Sequence, residues 1–493
     1  MLFNSLDFLI FFPLVTFFYF VLPHRVRWVW LLVASYYFYM CWNPRYALLM
    51  ALSTLITYLS GLLIHRANQV SDAVKRARLR KLWVALSFGS NLAILFCFKY
   101  WDFFWNNLEA VLALGGIALH KPVFDVVLPV GISFYTFQAL SYTMDVYRGE
   151  VEAERNPFRY ALFVSFFPQL VAGPIERSKN LLHQVHERHT FDAQWARSGL
   201  LLMLWGLFQK MVVADRVATV VDTVFNQYTT MPAWAIVLAV FLFAFQIYCD
   251  FGGYSNIAIG AAQVMGFSLM ENFRQPYLSR SCGEFWHRWH ISLSTWFRDY
   301  LYIPLGGNRK GKARKYLNNL ITFLASGLWH GASWNYVVWG GLNGLYQVIG
   351  DILRPAREKV CSALHIPTKT LVWQGVRVVV TFLFIDFAWL FFRAPSFSTA
   401  LDILAVALSG GVAAGPEFTL GLDAPELKVM ALSLLALVVV DGLNAAHIQV
   451  RDYLLRLPLP VRWVCYLVCI YLILIFGIYG PGFSESQFIY FQF

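Results

Sequence analysis

His330 lies near the middle of residues 316–350, thirty-five positions without a single Asp, Glu, Lys or Arg. An ionisable side chain inside so apolar a run is a functional candidate by default. Burial lowers a histidine's pKa and keeps the ring neutral near pH 7, so it can take a proton from a hydroxyl as a general base. Its neighbours Trp329, Gly331, Ala332, Ser333 and Trp334 would let a long, thin substrate approach. The structural alternative is a buried histidine satisfied by a neighbouring carbonyl. No GxSxG nucleophile motif stands beside it.

Three further stretches carry chemistry-bearing residues. In Glu284-Phe285-Trp286-His287-Arg288-Trp289-His290, Glu284 and His287 have the i, i+3 spacing of half a carboxylate di-metal site. A second Glu-x-x-His is missing, and Trp286 and Trp289 suit an interfacial helix, so no metal is expected. His287 and His290 have the spacing to share a helix face, which offers His290 as a supporting group. In Tyr248 to Asn256, Asp250 ends a long apolar run just before Gly252-Gly253, where the helix is expected to break. Asp250 would then cap the next helix, line a polar cavity or bind a cation, as in ion transport. Gly306 to Lys312 is rich in glycine and basic residues but does not fit the GxxxxGK[ST] phosphate loop. It reads as a cytoplasmic basic loop that could also attract a phosphorylated donor such as coenzyme A.

These residues have to be positioned by a membrane fold. The 493-residue chain is 58% hydrophobic and 14% charged, against about 25% charged for a soluble protein. Helical runs dominate and barrel-type alternation is absent, so the fold class is an all-α polytopic membrane protein. The net charge of +11 sits in short loops. That pattern fits positive-inside topology and anionic lipid rather than nucleic acid. Seven cysteines without a CxxC pair suggest neither a disulfide framework nor a zinc site.

Apolar runs fall at about 6–22, 28–42, 46–64, 82–98, 198–213, 233–249, 255–270, 372–392, 427–443 and 463–480, with 101–118 more amphipathic and interfacial. Pro129 and Gly131 suggest a broken or re-entrant helix at 126–144, and Pro168, Gly173 and Pro174 another at 158–175. The polar stretch 176–197 belongs outside the hydrocarbon, and 409–426 is the most linker-like piece. The expectation is ten to twelve spans, with re-entrant and interfacial helices, in one domain over 1–493. Loop 65–81, with six basic residues and one acid, should be cytoplasmic, and counting back three spans puts the N-terminus outside. As one helix, 316–350 would be about 50 Å long against a hydrocarbon core of about 30 Å. It should therefore break, at Gly327 or Gly331.

Several segments together resemble the membrane-bound O-acyltransferase (MBOAT) family, in its bacterial polysaccharide-acetylating branch. They are Phe167-Pro168-Gln169-Leu170-Val171-Ala172-Gly173-Pro174-Ile175, Asp250 to Gly260, Pro276 to Ser281, Trp289 to Arg309, Leu328-Trp329-His330-Gly331-Ala332 and the terminal Phe488 to Phe493. The chain departs from the family pattern at Asn256, where relatives often carry Asp, and at Asn343, where many carry His. Glu176 is also not the residue expected there.

The resemblance implies a ring of tilted helices around a tunnel, with His330 catalytic and His290 lining the same tunnel. Asp250, Asn256, Trp329, Trp289 and Arg298 are the supporting or tunnel-lining candidates. It implies transfer of an acyl group, acetyl in this branch, from a cytoplasmic thioester such as acetyl-CoA, with no resident cofactor. The product would be an O-acetylated exported polysaccharide such as alginate, made with extracytoplasmic acetyltransferase partners at a bacterial inner membrane. The alternatives are D-alanyl transfer to teichoic acid, a transporter or channel, and a subunit that only scaffolds an acetylation complex. No internal symmetry of the transporter kind is found.

Overall fold

The computed structural model describes residues 1–119, 121–122, 128–171, 173–413, 418–479 and 489. Ala172 and the terminal Phe488 to Phe493 motif, apart from Ile489, lie outside the described residues, as do 126–127 of the expected broken helix and 414–417 of the expected linker. Among the described residues the chain is all-helical, without a strand. Five helices are long and apolar enough to cross a membrane: Pro44–Ala67, Ala73–Ala113, Ala233–Val264, Leu371–Arg393 and Leu459–Phe476. Ala424–Ala445 and Val450–Arg456 make a sixth as a pair bent by 84°, and Leu6–Val21 and Phe397–Ser409 are shorter apolar helices. This is the make-up of a multi-pass membrane protein.

The described residues form two compact units. The first comprises Met1–Leu200 and Ala258–Met270. Its helices are joined by buried hydroxyls and amides, which hold membrane helices together where apolar contact alone gives no preference over lipid. Ser53 donates to Asn91 Oδ1 at 2.5 Å, Ser87 and Thr143 meet at 2.9 Å, and Tyr160 donates to Thr57 at 2.8 Å. The expected break near Pro168 is present: Pro157–Ser165 ends at Phe166 and a single turn, Phe167–Leu170, follows. Backbone groups freed there find side-chain partners. The Phe163 carbonyl accepts from Gln138 Nε2 at 2.6 Å and Gln169 Nε2 at 2.9 Å, and the Phe167 N–H donates to Ser35 Oγ at 3.1 Å. A broken helix in lipid requires such cover. The pieces expected at 82–98 and 101–118 are one helix, continuous through a π-turn at Phe96–Tyr100.

The second unit comprises Leu201–Ile257 and Glu271–Phe493. The 32-residue helix Ala233–Val264, which belongs to this unit as far as Ile257, runs unbroken through Gly252-Gly253. The expected break does not occur, and Asp250 is not a cap. Gly253 serves close approach instead: a Cβ on it would stand 2.7 Å from the Gly206 carbonyl, and one on Gly206 2.5 Å from the Gly253 carbonyl.

The charge-free stretch 316–350 is a helical hairpin. Lys312–His330 ends where Gly331 becomes extended at φ −164° and ψ 149°, and Trp334–Ile352 returns after Ser333. Of the two glycines expected to break the segment, Gly331 does so and Gly327 stays helical. A Cβ on Gly327 would lie 2.3 Å from the Tyr336 carbonyl, and one on Gly340 2.3 Å from the Phe323 carbonyl. The two backbones touch through this glycine pair. At the open end Lys315 Nζ meets Asp351 Oδ2 at 2.7 Å, and the Tyr316 hydroxyl donates to the same oxygen at 3.1 Å.

Candidate active site

His330 is the last residue of its helix, about 27 Å along the axis from Lys312 at 1.5 Å per residue. It is 3% exposed. Aromatic rings hold it edge-on: Trp329 and Trp339 at 4.9 Å between centres, and Phe392 at 5.3 Å. Asn335, just beyond the hairpin tip, donates to the Ala394 carbonyl at 2.9 Å and the Phe391 carbonyl at 3.3 Å. The tip is thereby tied to the end of Leu371–Arg393, the helix that carries Phe392.

His290 is fully buried, and its ring centre is 6.4 Å from that of His330. It does not share a helix face with His287, contrary to expectation. At φ 44° it sits in the left-handed region between Cys282–Arg288 and Ile291–Phe297. That turn sends His290 inward while His287 stays exposed. A histidine pays for a left-handed backbone, and such strain persists where the surroundings fix it.

Asn272, which the sequence reading did not single out, does the fixing. Its Oδ1 lies 3.1 Å from His290 Nδ1 and accepts from Ser292 Oγ at 2.9 Å and from the Ser292 N–H at 3.3 Å. Its backbone carbonyl accepts the Ile291 N–H at 2.9 Å, and its Nδ2 donates to Ser255 Oγ at 3.1 Å. An amide oxygen cannot donate, so Nδ1 of His290 carries the proton and Nε2 the lone pair.

The other candidates fall into place around this pair. Trp329 contacts both imidazoles, with its centre 5.9 Å from His290. Trp289 packs on Phe273 at 4.9 Å and Trp389 at 5.1 Å, and Trp389 stacks on Trp339. Asp250 is buried in an ion cluster: Lys210 Nζ lies 2.7 Å from Asp250 and 2.9 Å from Asp215, and the Ile489 N–H donates to Asp250 Oδ2 at 2.8 Å. Its neighbour Phe251 contacts His290, at 4.7 Å between ring centres. Lys210 lies in a π-turn, Phe208–Ala214, that widens one helix and presents the ammonium to both acids. Asn256 donates to Gln209 Oε1 at 2.7 Å, a helix-to-helix contact that needs no charge. Asn343 accepts the Trp286 indole N–H at 3.2 Å.

Glu284 is engaged with arginines, at 2.7 Å to Arg288 and 3.4 Å to Arg280. Burial resists its ionisation, but the Arg280 N–H and the two guanidiniums outweigh that and hold its carboxyl below the usual range. Among the described residues no group of three or more His, Cys, Asp or Glu is arranged to hold a metal.

Arg298 is half exposed, paired with Asp299 at 2.7 Å, and lines a cavity of about 300 Å³. Trp286, His287, Asn319, Thr322 and Ser326 share that lining. Asn319, Thr322 and Ser326 follow one another at i+3 and i+4 along Lys312–His330, and the next position on that face is His330. A wall of the cavity therefore leads along one helix to the imidazole.

Residues 154–392 match the membrane-bound O-acyltransferase family. The chain is 41% identical over 417 residues to the probable alginate O-acetylase of Pseudomonas putida, covering 83% of this chain and 81% of the relative. It is 35% identical over 405 residues to the peptidoglycan O-acetyltransferase of Helicobacter pylori (76% and 72%), and 25% identical over 288 residues to the teichoic acid D-alanyltransferase of Bacillus subtilis (56% and 72%).

Proposed function

Because the chain belongs to the membrane-bound O-acyltransferase family, we propose that it is an O-acetyltransferase serving an exported polysaccharide, with His330 as general base. The observation that carries this reading is the close pair of buried imidazoles, 6.4 Å between ring centres, at the end of a helix face that also walls a cavity. His330 accepts the proton of an acceptor hydroxyl as its oxygen attacks the thioester carbonyl. The tetrahedral intermediate expels the thiolate, which takes up the proton held by His330 and returns the imidazole to its neutral form. His290, held in one tautomer by Asn272, offers Nε2 towards the same reaction.

The donor in this reading is a cytoplasmic thioester such as acetyl-CoA, drawn by Arg298 and the basic residues 309–315 and laid along the Asn319–Ser326 face. The basic segments 65–81 and 309–315 face the cytoplasm and the N-terminus the outside in this reading, at a bacterial inner membrane. A tunnel brings donor and acceptor together from opposite faces, and extracytoplasmic acetyltransferases complete the polymer's modification. Asp250 supports the site through the Lys210 cluster. The acetylated, alginate-type product rests on the relatives' names and on their 35–41% identity, against 25% for the D-alanyl-transferring relative.

A general base contributes about 10²–10⁴-fold, so His330→Ala should lower polymer acetylation at least a hundredfold at equal membrane insertion. Wild-type acetylation by that variant would overturn the assignment. Transfer of carrier-borne D-alanine, with acetyl-CoA inert, would overturn the choice of acyl group alone.

A further inference from the structure

In the first unit, an open apolar groove of about 390 Å³ runs between Pro44–Ala67, His24–Met40 and Pro157–Ser165. Its walls include Val33, Tyr36, Ala51, Leu55, Phe158 and Ala161. Val33 and Phe158 are 58% and 60% exposed, and Pro44–Ala67, which forms another wall, is long and apolar enough to cross a membrane. Two wall hydroxyls are turned onto the backbone: Thr54 donates to the Met50 carbonyl at 2.7 Å and Tyr58 to the Arg155 carbonyl at 2.6 Å. What remains there, the Tyr36 hydroxyl apart, is apolar and suits an acyl chain.

One end of the groove is cationic. Arg159 follows Phe158 directly, and its guanidinium lies 5.5 Å from the Trp28 ring centre. Its Nη1 donates to His186 Nδ1 at 2.8 Å, and His186 Nε2 in turn donates to Glu154 Oε2 at 2.6 Å. The nearby carboxylate is thus taken by the histidine. Arg159 meets no carboxylate of its own among the described residues, and its Nε has no partner. The fields of Arg27, Arg188 and Arg159 all reach the His24 imidazole. Arg27 adds a second cation without a carboxylate of its own among the described residues: its guanidinium donates to the Leu22, His189 and Phe20 carbonyls.

We propose that this groove is a binding site for one anionic phospholipid, its headgroup phosphate on Arg159 and an acyl chain against Val33, Ala51, Leu55 and Ala161. An uncompensated guanidinium beside a lipid-facing apolar trough matches both halves of that ligand, whereas a zwitterionic lipid brings its own cation to a site that already has several. The inference rests on the membrane reading alone and is independent of the acyl-transfer chemistry.

The test is native mass spectrometry of the full chain after equilibration in nanodiscs of equal phosphatidylglycerol and phosphatidylcholine. Wild-type protein should retain phosphatidylglycerol in preference. Arg159→Gln should lower that ratio about fivefold, the equivalent of about 1 kcal/mol for one arginine at an anionic surface. Ala161→Trp, which fills the trough without touching a charge, should lose both lipids. Ala51→Leu serves the same purpose if the tryptophan variant does not fold. Arg78→Gln, which removes an exposed cation near the start of the helix Ala73–Ala113, should leave the ratio unchanged. The proposal is overturned by a wild type without headgroup preference, by an Arg159→Gln ratio equal to wild type, by a filled groove that still holds lipid, or by an Arg78→Gln effect as large as that of Arg159→Gln.

Discussion

Replacing Gly327 by alanine adds one carbon at the point where the hairpin's two backbones touch. The new Cβ would start 2.3 Å from the Tyr336 carbonyl oxygen, short of the 3.0 Å that real Cβ atoms respect, and 3.3 Å from the Gly340 Cα. The obstacle is backbone, so no side chain can swing away, and the helices must part by about 0.7 Å or more. Overpacking of this kind costs about 1–3 kcal/mol. The functional cost should be larger, because His330 is three residues further along the same helix and its cage is drawn from the returning helix through Trp339. A misplacement of about 1 Å at a reacting group can cost 10²-fold. Gly327→Ala should therefore insert and fold, with a modestly lowered unfolding temperature, and acetylate its acceptor roughly 30- to 100-fold more slowly. Gly341→Ala is the control, since its Cβ would meet Leu324 at an ordinary 3.5 Å. Initial rates of acetyl transfer per inserted protein decide the matter. Equal rates for the two alanine variants would refute the argument that this contact sets the position of His330.

Three further outcomes are expected. Asn272→Leu removes the oxygen that fixes the His290 tautomer; at about 1–3 kcal/mol for a buried donor deprived of its partner, transfer should slow roughly 5- to 150-fold. Asn272→Asp, which keeps that acceptor, should retain most activity in the same rate assay. Lys210→Met leaves Asp215 and Asp250 facing each other without their cation and should destabilise the fold by about 3–5 kcal/mol; Lys210→Met combined with Asp250→Asn should recover part of it in thermal unfolding. Burial pushes Glu176 up to about 7, although the Met270 N–H, the Asn180 amide and Arg177 pull the other way. Between the ordinary carboxylate range and pH 7 the folded state thus binds more protons than the unfolded one, and stability falls as pH rises through that window. Unfolding midpoints at pH 5 and pH 7 should differ less in Glu176→Gln than in wild type.

The sequence reading found what depends on spacing along one segment. The charge-free run, its break at Gly331 and the broken helix at Pro168 are visible because absent charges, proline and glycine act locally. The reading failed where a residue type answers to a distant partner. Gly252-Gly253 suggested a break, yet Gly253 is present because another backbone, at Gly206, passes against it. Asp250 had the signature of a helix cap, but it lies mid-helix, and its partner Lys210 is 40 positions away and is aimed by a π-turn that no propensity announces. His287 and His290 looked like one helical face until the left-handed backbone at His290 separated them. Asn272 left no signal, since nothing local distinguishes an asparagine that holds a histidine from one that ends a turn.

The ion pair of Lys315 and Asp351 also bears on how the chain is threaded into a bilayer during synthesis. A run of thirty-five uncharged residues invites the count of one crossing, which would reverse the side of everything that follows. Because its two ends meet at 2.7 Å, the run adds an even number of crossings and returns the chain to the side it left. The sidedness of every later segment, from Arg354 to Phe476, depends on the turn at Gly331, so the residue beside His330 also keeps the topological register of the last third of the protein.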